Sequence, residues 1–302
     1  MSARAWLAFL SVSVLWGIPY FFIKVAVDDG IPPAFLAWVR VSLAALLLGL
    51  LCWRLGLFAE LRGRWRALGA YAVVEIAIPF PLIAVGEQRI SSSLTAILIA
   101  TVPLILALLA LRFDHEERAD GRRLVGLLVG FAGVVALVGL DVAGSTGELL
   151  GAAAILLAAL GYAVGPMLLK RGFVAIDPRV TMAGALAIAA VVLTPAALAD
   201  LPAAAPSTET IVSLAVLGVF CTALAFVLFA TLIAEAGPSR ASVITYVAPL
   251  VAVALGVGVL DERPGAGAIV GLLLILAGSW LSTGGRRRVQ AGADAQRVTA
   301  RR

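Results

Sequence analysis

The chain has 302 residues, of which 62% are hydrophobic and 14% charged, with a formal net charge of +5. Soluble domains run to about 45–50% apolar and about 25% charged residues, so there is too little charge here to cover a water-exposed surface. Disorder, which needs low hydrophobicity, is excluded as well, and what remains is an all-α polytopic protein whose solvent is mostly lipid.

About 20 apolar residues in a helix cross a hydrocarbon core of about 30 Å. Runs of that kind recur throughout, rich in Leu, Ala, Val and Ile and without the period-two alternation of a membrane β-barrel. The first covers 5–26 and carries Trp16, Pro19 and Tyr20, with Lys24 near its end. It is too long for a cleaved leader and has no Ala-x-Ala site, so it is expected to remain. The second, 34–55, contains Arg40; the third, 67–86, contains Glu75, Pro79 and Pro81. The fourth, 92–111, follows the Ser91–Ser93 run and contains Pro103. The fifth, 123–140, holds Gly126-x3-Gly130, and the sixth, 149–169, holds Gly161-x3-Gly165, Tyr162 and Pro166. Four more follow at 180–198, 211–234, 241–260 and 265–283, the ninth carrying Tyr246 and Pro249. Residues 284–302 form a polar, Arg-rich tail, expected to be disordered beside anionic lipid.

Arginine sets the orientation. Arg4, Arg54, Arg62, Arg64, Arg66, Arg112, Arg118, Arg122, Arg123, Lys170, Arg171, Arg179, Arg240 and the tail arginines all fall on one side. Lys24, Arg89 and Arg263 fall on the other. By the positive-inside rule both termini are expected in the cytoplasm. The basic balance thus reflects topology, and no nucleic-acid partner is expected.

The halves resemble one another. Glu116–Leu137 aligns without a gap on Asp261–Ser282, pairing Glu117 with Glu262, Arg118 with Arg263, Gly126 with Gly271 and Gly133 with Gly278, with Pro103 and Pro249 upstream. Two repeats are expected at 1–141 and 142–283. Five spans per repeat, an odd number, force the second copy to enter from the opposite side, and inverted repeats of this kind mark secondary transporters.

With Trp16-Gly17, Arg40, the Gly86–Arg89 stretch leading to Pro103, and Glu-Arg followed by Gly-x6-Gly in each half, the chain resembles the drug/metabolite transporter superfamily, in particular its EamA-like ten-helix type. The resemblance covers about 5 to 283. It implies an inner-membrane carrier for small organic metabolites, often an exporter, with relatives that move amino acids, drugs or nucleotide-sugars; it does not fix the substrate.

Within the spans, ionisable residues are scarce and costly. Arg40 is read either as a ligand for an anionic substrate group or as a snorkelling structural cation. Glu75, flanked by Val73, Val74, Ile76 and Ala77, suits proton coupling or a cationic amine, or a structural role beside a water-filled vestibule. Lys24 and Glu87 near span ends read as snorkelling residues or a surface pair. Trp16, Tyr162 and Tyr246 are candidates for the lining of a central cavity, whereas Trp6, Trp38, Trp53, Trp65 and Trp280 suit interface belts. Pro19, Pro79, Pro103, Pro166 and Pro249 are candidate helix breaks, Pro103 and Pro249 as a matched pair. The Gly-x3-Gly motifs read as packing devices, and Cys52 and Cys221 as small core residues.

Several signatures are missing. Lys24 and Lys170 follow Ile23 and Leu169, so there is no Walker A lysine preceded by Gly. The single histidine, His115, excludes a His-x-x-x-His zinc site. No cofactor or metal is expected. The expected partners are a small-molecule substrate, membrane lipid and, in a coupled mechanism, protons; a monomer or a homodimer fits. A secondary transporter working by alternating access is the leading reading. A multidrug or cation efflux carrier, a channel, a scaffold and an intramembrane enzyme stay open beside it.

Overall fold

Lipid offers the backbone no hydrogen-bond partner, so continuous apolar runs settle into helices that satisfy themselves. The structure, a computed structural model, describes residues 1–113, 121–173 and 175–283. Helices α1 Ala3–Asp28, α2 Pro33–Arg54, α3 Trp65–Glu87, α4 Ser92–Leu111, α5 Gly121–Val142, α6 Thr146–Gly172, α7 Pro178–Ala199 and α8 Thr208–Ala236 are long and apolar enough to cross a membrane. Two shorter apolar helices follow, α9 Ile244–Val259 and α10 Ala266–Ser282. The ten coincide with the ten expected spans. His115, Glu117, Arg118 and the tail 284–302 lie outside the described residues.

Two opposite faces emerge from the loop contacts. On one, the Arg64 guanidinium donates to the carbonyl of Gly172 (2.5 Å), and the Asp177 N–H donates to Glu60 (2.9 Å). On the other, Asp29 accepts from Thr210 Oγ1 (2.6 Å) and from the Ser207 N–H (3.1 Å). These bonds, the Thr210 hydroxyl first, hold the Asp29 carboxyl below the ordinary aspartate range. The tie therefore stands at neutral pH and is released only as pH falls through that lowered range. The same face carries two acidic caps. Glu262 accepts from the N–H groups of Ser92 (2.7 Å) and Ser93 (3.0 Å) at the start of α4. Asp141 accepts from those of Gly267 (3.1 Å) and Ala268 (2.5 Å) at the start of α10. Free N–H groups at a helix start, and the dipole behind them, favour a carboxylate there.

Helix α5 packs along α10, and α2 along α7, with the Trp38 indole N–H donating to Thr194 at 3.0 Å. In the α5–α10 seam a Cβ on Gly126 would meet the Gly278 carbonyl at 2.8 Å, and one on Gly133 would meet the Gly271 carbonyl at 2.8 Å. A Cβ on Gly271 would in turn meet the Gly133 carbonyl at 2.9 Å. The backbones touch, as small-residue seams in membranes allow.

Four helices are broken or widened inside their length. α1 is interrupted between Gly17 and Pro19, and α4 around Ala100–Thr101, just before Pro103. α3 passes through a π-helical turn, Val73–Ala77, before Pro79. α8 contains a matching π-helical turn, Val219–Leu224, with no proline near it. Pro166 and Pro249 sit inside helices that stay continuous. Of the expected pair of breaks, Pro103 follows an interruption of its helix, while Pro249 lies inside a helix that stays continuous.

Gly133→Val should destabilise the detergent-solubilised protein by about 1–3 kcal/mol, the usual cost of overpacking. Gly49→Ala, where a Cβ meets nothing within 4 Å, should leave the thermal midpoint unchanged.

Candidate functional site

Arg40, Glu75 and Thr222 lie where α2 and α6 pack against the π-helical turns of α3 and α8. Pro79 lacks an N–H and its ring crowds the preceding turn. The chain responds by widening: Ile78 donates to the carbonyl of Val73 at 3.0 Å, the longer reach of a π turn. Glu75 lies in that turn, and its carboxyl packs directly on Gly165 of α6. A Cβ at 165 would fall on Glu75 Oε2 and within 2.7 Å of Cδ. One helical turn away, a Cβ on Gly161 would meet the carbonyl of Val74 at 2.5 Å and the Pro79 ring at 2.8 Å. Gly161-x3-Gly165 is thus a packing motif, as expected, and what it packs is the bulge that carries the acid. Glu75 Oε2 is buried without a hydrogen bond.

Arg40 lies about two turns into α2 and is buried, 7% exposed, so its end does not reach out to the surface. Its Nε donates to Thr222 Oγ1 at 3.0 Å, and its Cζ stands 4.3 Å from the centroid of the Phe80 ring. Thr222 is available because the π turn of α8 turns its hydroxyl toward the Leu217 carbonyl, 2.8 Å away. Tyr20, Tyr162, Glu87 and Cys221 lie within electrostatic reach of the guanidinium. Both Nη groups carry no hydrogen bond among the described residues, and neither is enclosed. An arginine held by Nε and an aromatic face keeps its forked end for another partner.

Of the other residues singled out in the sequence, Tyr162 bridges the two larger core clusters and lies in the electrostatic reach of both Arg40 and Glu75. Trp16 packs across to α8, its ring 4.7 Å from that of Phe229 and 5.7 Å from that of Phe226. Beside it, Gly17 receives the backbone of α9, where a Cβ would meet the Ala248 carbonyl at 2.7 Å, next to Pro249. Tyr246 lies in the first turn of α9, which begins at Ile244, rather than well inside a span.

Glu87 departs from the surface pair expected of it. It is 0% exposed, and neither carboxyl oxygen has a hydrogen-bond partner. Lys24 reaches its main-chain carbonyl at 3.0 Å and pairs instead with Asp28 at 2.8 Å. Thr222, Phe80 and the α8 bulge had no motif to betray them. The sole hint for Thr222 is a hydroxyl residue in an otherwise apolar span. Among the described residues no group of three His, Cys, Asp or Glu stands ready to hold a metal, and Cys52 and Cys221 are buried and unpaired.

The model of the EamA-like transporter family matches residues 3–139 and again 149–284. An uncharacterized transporter of Archaeoglobus fulgidus is 25% identical over 289 residues, covering 94% of this chain and 98% of its own. The uncharacterized inner membrane transporter YedA of Escherichia coli K12 is 30% identical over 262 residues, covering 84% of this chain and 82% of its own. A protein of known crystal structure superposes with a TM-score of 0.66 at 19% identity, covering 96% of this chain and 99% of that one, which shows a shared fold. The chain is a multi-span membrane protein that belongs to the EamA-like transporter family.

Proposed function

We propose that this chain is a secondary transporter that exports a small organic metabolite, such as an amino acid or another amphipathic compound, across the inner membrane by alternating access. Two inverted five-helix repeats, 1–141 and 142–283, rock about a site between them. The family model that matches each half supports the division. So does the reciprocity of the α5–α10 seam, where Gly126 meets Gly278 and Gly133 meets Gly271. Residues aligned between halves contact each other's counterparts, the pattern an internal two-fold axis produces.

The observation that carries the reading is Arg40: a buried cation whose two Nη groups are left over, its face on Phe80 and with Tyr20 and Tyr162 in electrostatic reach. It takes the anionic group of the substrate, and the aromatic faces take the apolar part. Glu75, in electrostatic reach of Tyr162, is the proton-coupling group or the partner of a substrate amine. Trp16 and Tyr246 line the pathway at the α1–α8 contact and the start of α9. The breaks at Pro19, Pro79 and Pro103 and the bends at Pro166 and Pro249 are the hinges. A cationic or weakly polar drug is the second reading, favoured by the unbonded Glu75 oxygen.

Counterflow in proteoliposomes tests both. Under the first reading labelled amino acids exchange with saturation. Arg40→Gln then raises the half-saturation concentration about 10- to 100-fold, the loss of a hydrogen bond to a charged group. Saturable exchange of an organic cation such as tetraphenylphosphonium, insensitive to Arg40→Gln, selects the second. Vesicles in which no solute exchanges overturn the transporter reading.

Glu75→Gln should abolish uptake driven by an imposed pH gradient while counterflow and protein level persist. Uptake unchanged in that variant removes Glu75 from coupling.

We place both termini in the cytoplasm, from the arginine bias. An impermeant maleimide should label Ala203→Cys in intact cells and Ala59→Cys only after permeabilisation, both positions being exposed; the reverse pattern inverts the topology.

A further inference from the structure

The proposed cycle leaves one buried ionisable group unused. Glu87 ends α3 on the face opposite the arginine-rich loops, and it is sealed: 0% exposed, with both carboxyl oxygens unbonded. An ionised carboxylate in that position would have no donor on either oxygen and no water, an arrangement folded proteins avoid. The cations nearby give neither oxygen a hydrogen bond. Arg40 gives Nε to Thr222 and its face to Phe80, and its Nη groups, though unbonded, do not reach the Glu87 oxygens; the Tyr20 hydroxyl, also in electrostatic reach, does not donate to them either. Lys24 gives one N–H to Asp28 and one to the Glu87 main-chain carbonyl. The remaining charged groups in reach, Asp28 and Glu262, are acids, and Glu262 is itself occupied by the Ser92 and Ser93 donors.

Lys24 is nevertheless placed to change partners. An ammonium has three donors, and two are taken. The one on Asp28 spans a short link to a carboxylate that is 57% exposed, while the other already touches Glu87's own backbone. Exchanging water-wetted Asp28 for the Glu87 carboxylate needs a swing of the lysine end, with no new helix contact.

We propose that Glu87 is a proton-binding site at the outer end of the pathway, which holds its proton while the outer side is closed and surrenders it to water as Lys24 swings from Asp28 to the freed carboxylate. In this exchange one O–H bond of Glu87 breaks and the proton passes to water. The ammonium keeps all its protons and replaces the lost charge balance. Proton binding at Glu87 stands on the geometry alone; its place in a transport cycle rests on the proposed function.

Infrared difference spectroscopy of the purified full chain across a pH series tests it, with the proton as probe and no substrate needed. The expected result at neutral pH is a protonated-carboxyl C=O band that is lost in Glu87→Gln. It should move in frequency in Glu87→Asp, which guards against a variant that fails to fold. In Lys24→Met the pH at which the band disappears should rise, because the replacement cation is gone. A band of unchanged amplitude in Glu87→Gln and unchanged frequency in Glu87→Asp overturns the site. A midpoint unmoved in Lys24→Met overturns the exchange. Both outcomes leave the flux assays untouched, and vesicles without flux leave the band untouched, so the two readings fail separately.

Discussion

In hydrocarbon, each backbone N–H and C=O must find its partner inside the protein, because water is absent. That requirement decides where this chain can be irregular. A helix facing lipid has to run unbroken; a helix may open only where a neighbour supplies contacts. The openings observe this. The Pro79 bulge is received by Gly161 and Gly165 of α6. The α8 bulge is received by α2, and its Thr222 hydroxyl closes on the Leu217 carbonyl. The α1 interruption abuts the α9 backbone at Gly17. The openings in α1, α3 and α8 are thus each met by a neighbouring helix, while the π turn Val138–Val142 lies at the end of α5, where Asp141 caps α10; the scarce ionisable residues obey the same lack of water.

Where the halves meet tightly, glycines bring the backbones together beside the Cβ atoms of Leu137, Leu274 and Leu281. Along α5 and α10 glycine faces carbonyl on both sides, so the gap is too narrow for a ligand. At α2, α3, α6 and α8 glycines again admit neighbouring backbone, Gly161 facing the Val74 carbonyl and Gly218 the Arg40 carbonyl, but here the packed helices also carry Arg40 and Glu75. One seam only holds helices together; the other holds them together around polar side chains. On the face away from the arginine-rich loops, Glu262 on the start of α4 and Asp141 on the start of α10 tie second-half segments to first-half segments.

Much of this architecture is legible in the residues. Ten apolar runs announce the ten helices, and Gly-x3-Gly announces close packing. Pro79 marks a bulge because a missing donor is a local property. The rest depends on partners distant in sequence. The α8 bulge carries no proline, so nothing local separates Val219–Leu224 from an ordinary span. Pro249 looks equivalent to Pro103, yet α9 absorbs it without breaking, because α1 packs against it through Gly17. Glu87 reads as a surface residue because it lies at the end of an apolar run. Its burial comes from α1 crossing above it, with Lys24 as the strap. Tyr246 reads as deep only while the start of α9 is set by hydropathy; the helix begins at Ile244 and leaves the tyrosine in the first turn.

The two acids and Arg40 differ in a way that composition hides. Arg40 is anchored at one end, through Nε and Phe80, and open at the other. Glu75 is seated on a glycine that admits no alternative side chain at 165 without displacing it. Glu87 is enclosed without a donor, yet stands beside a lysine that has one to spare. A group that is fixed and open suits recognition, since it is already positioned and loses little freedom on binding. A group whose partner can move suits switching, since two arrangements of similar contact count are available to it. Tyr20 is in electrostatic reach of both Arg40 and Glu87, and Tyr162 of both Arg40 and Glu75. The two tyrosines are thus the residues whose surroundings Arg40 shares with each acid in turn, so a change of charge at any one of the three is felt by a common neighbour.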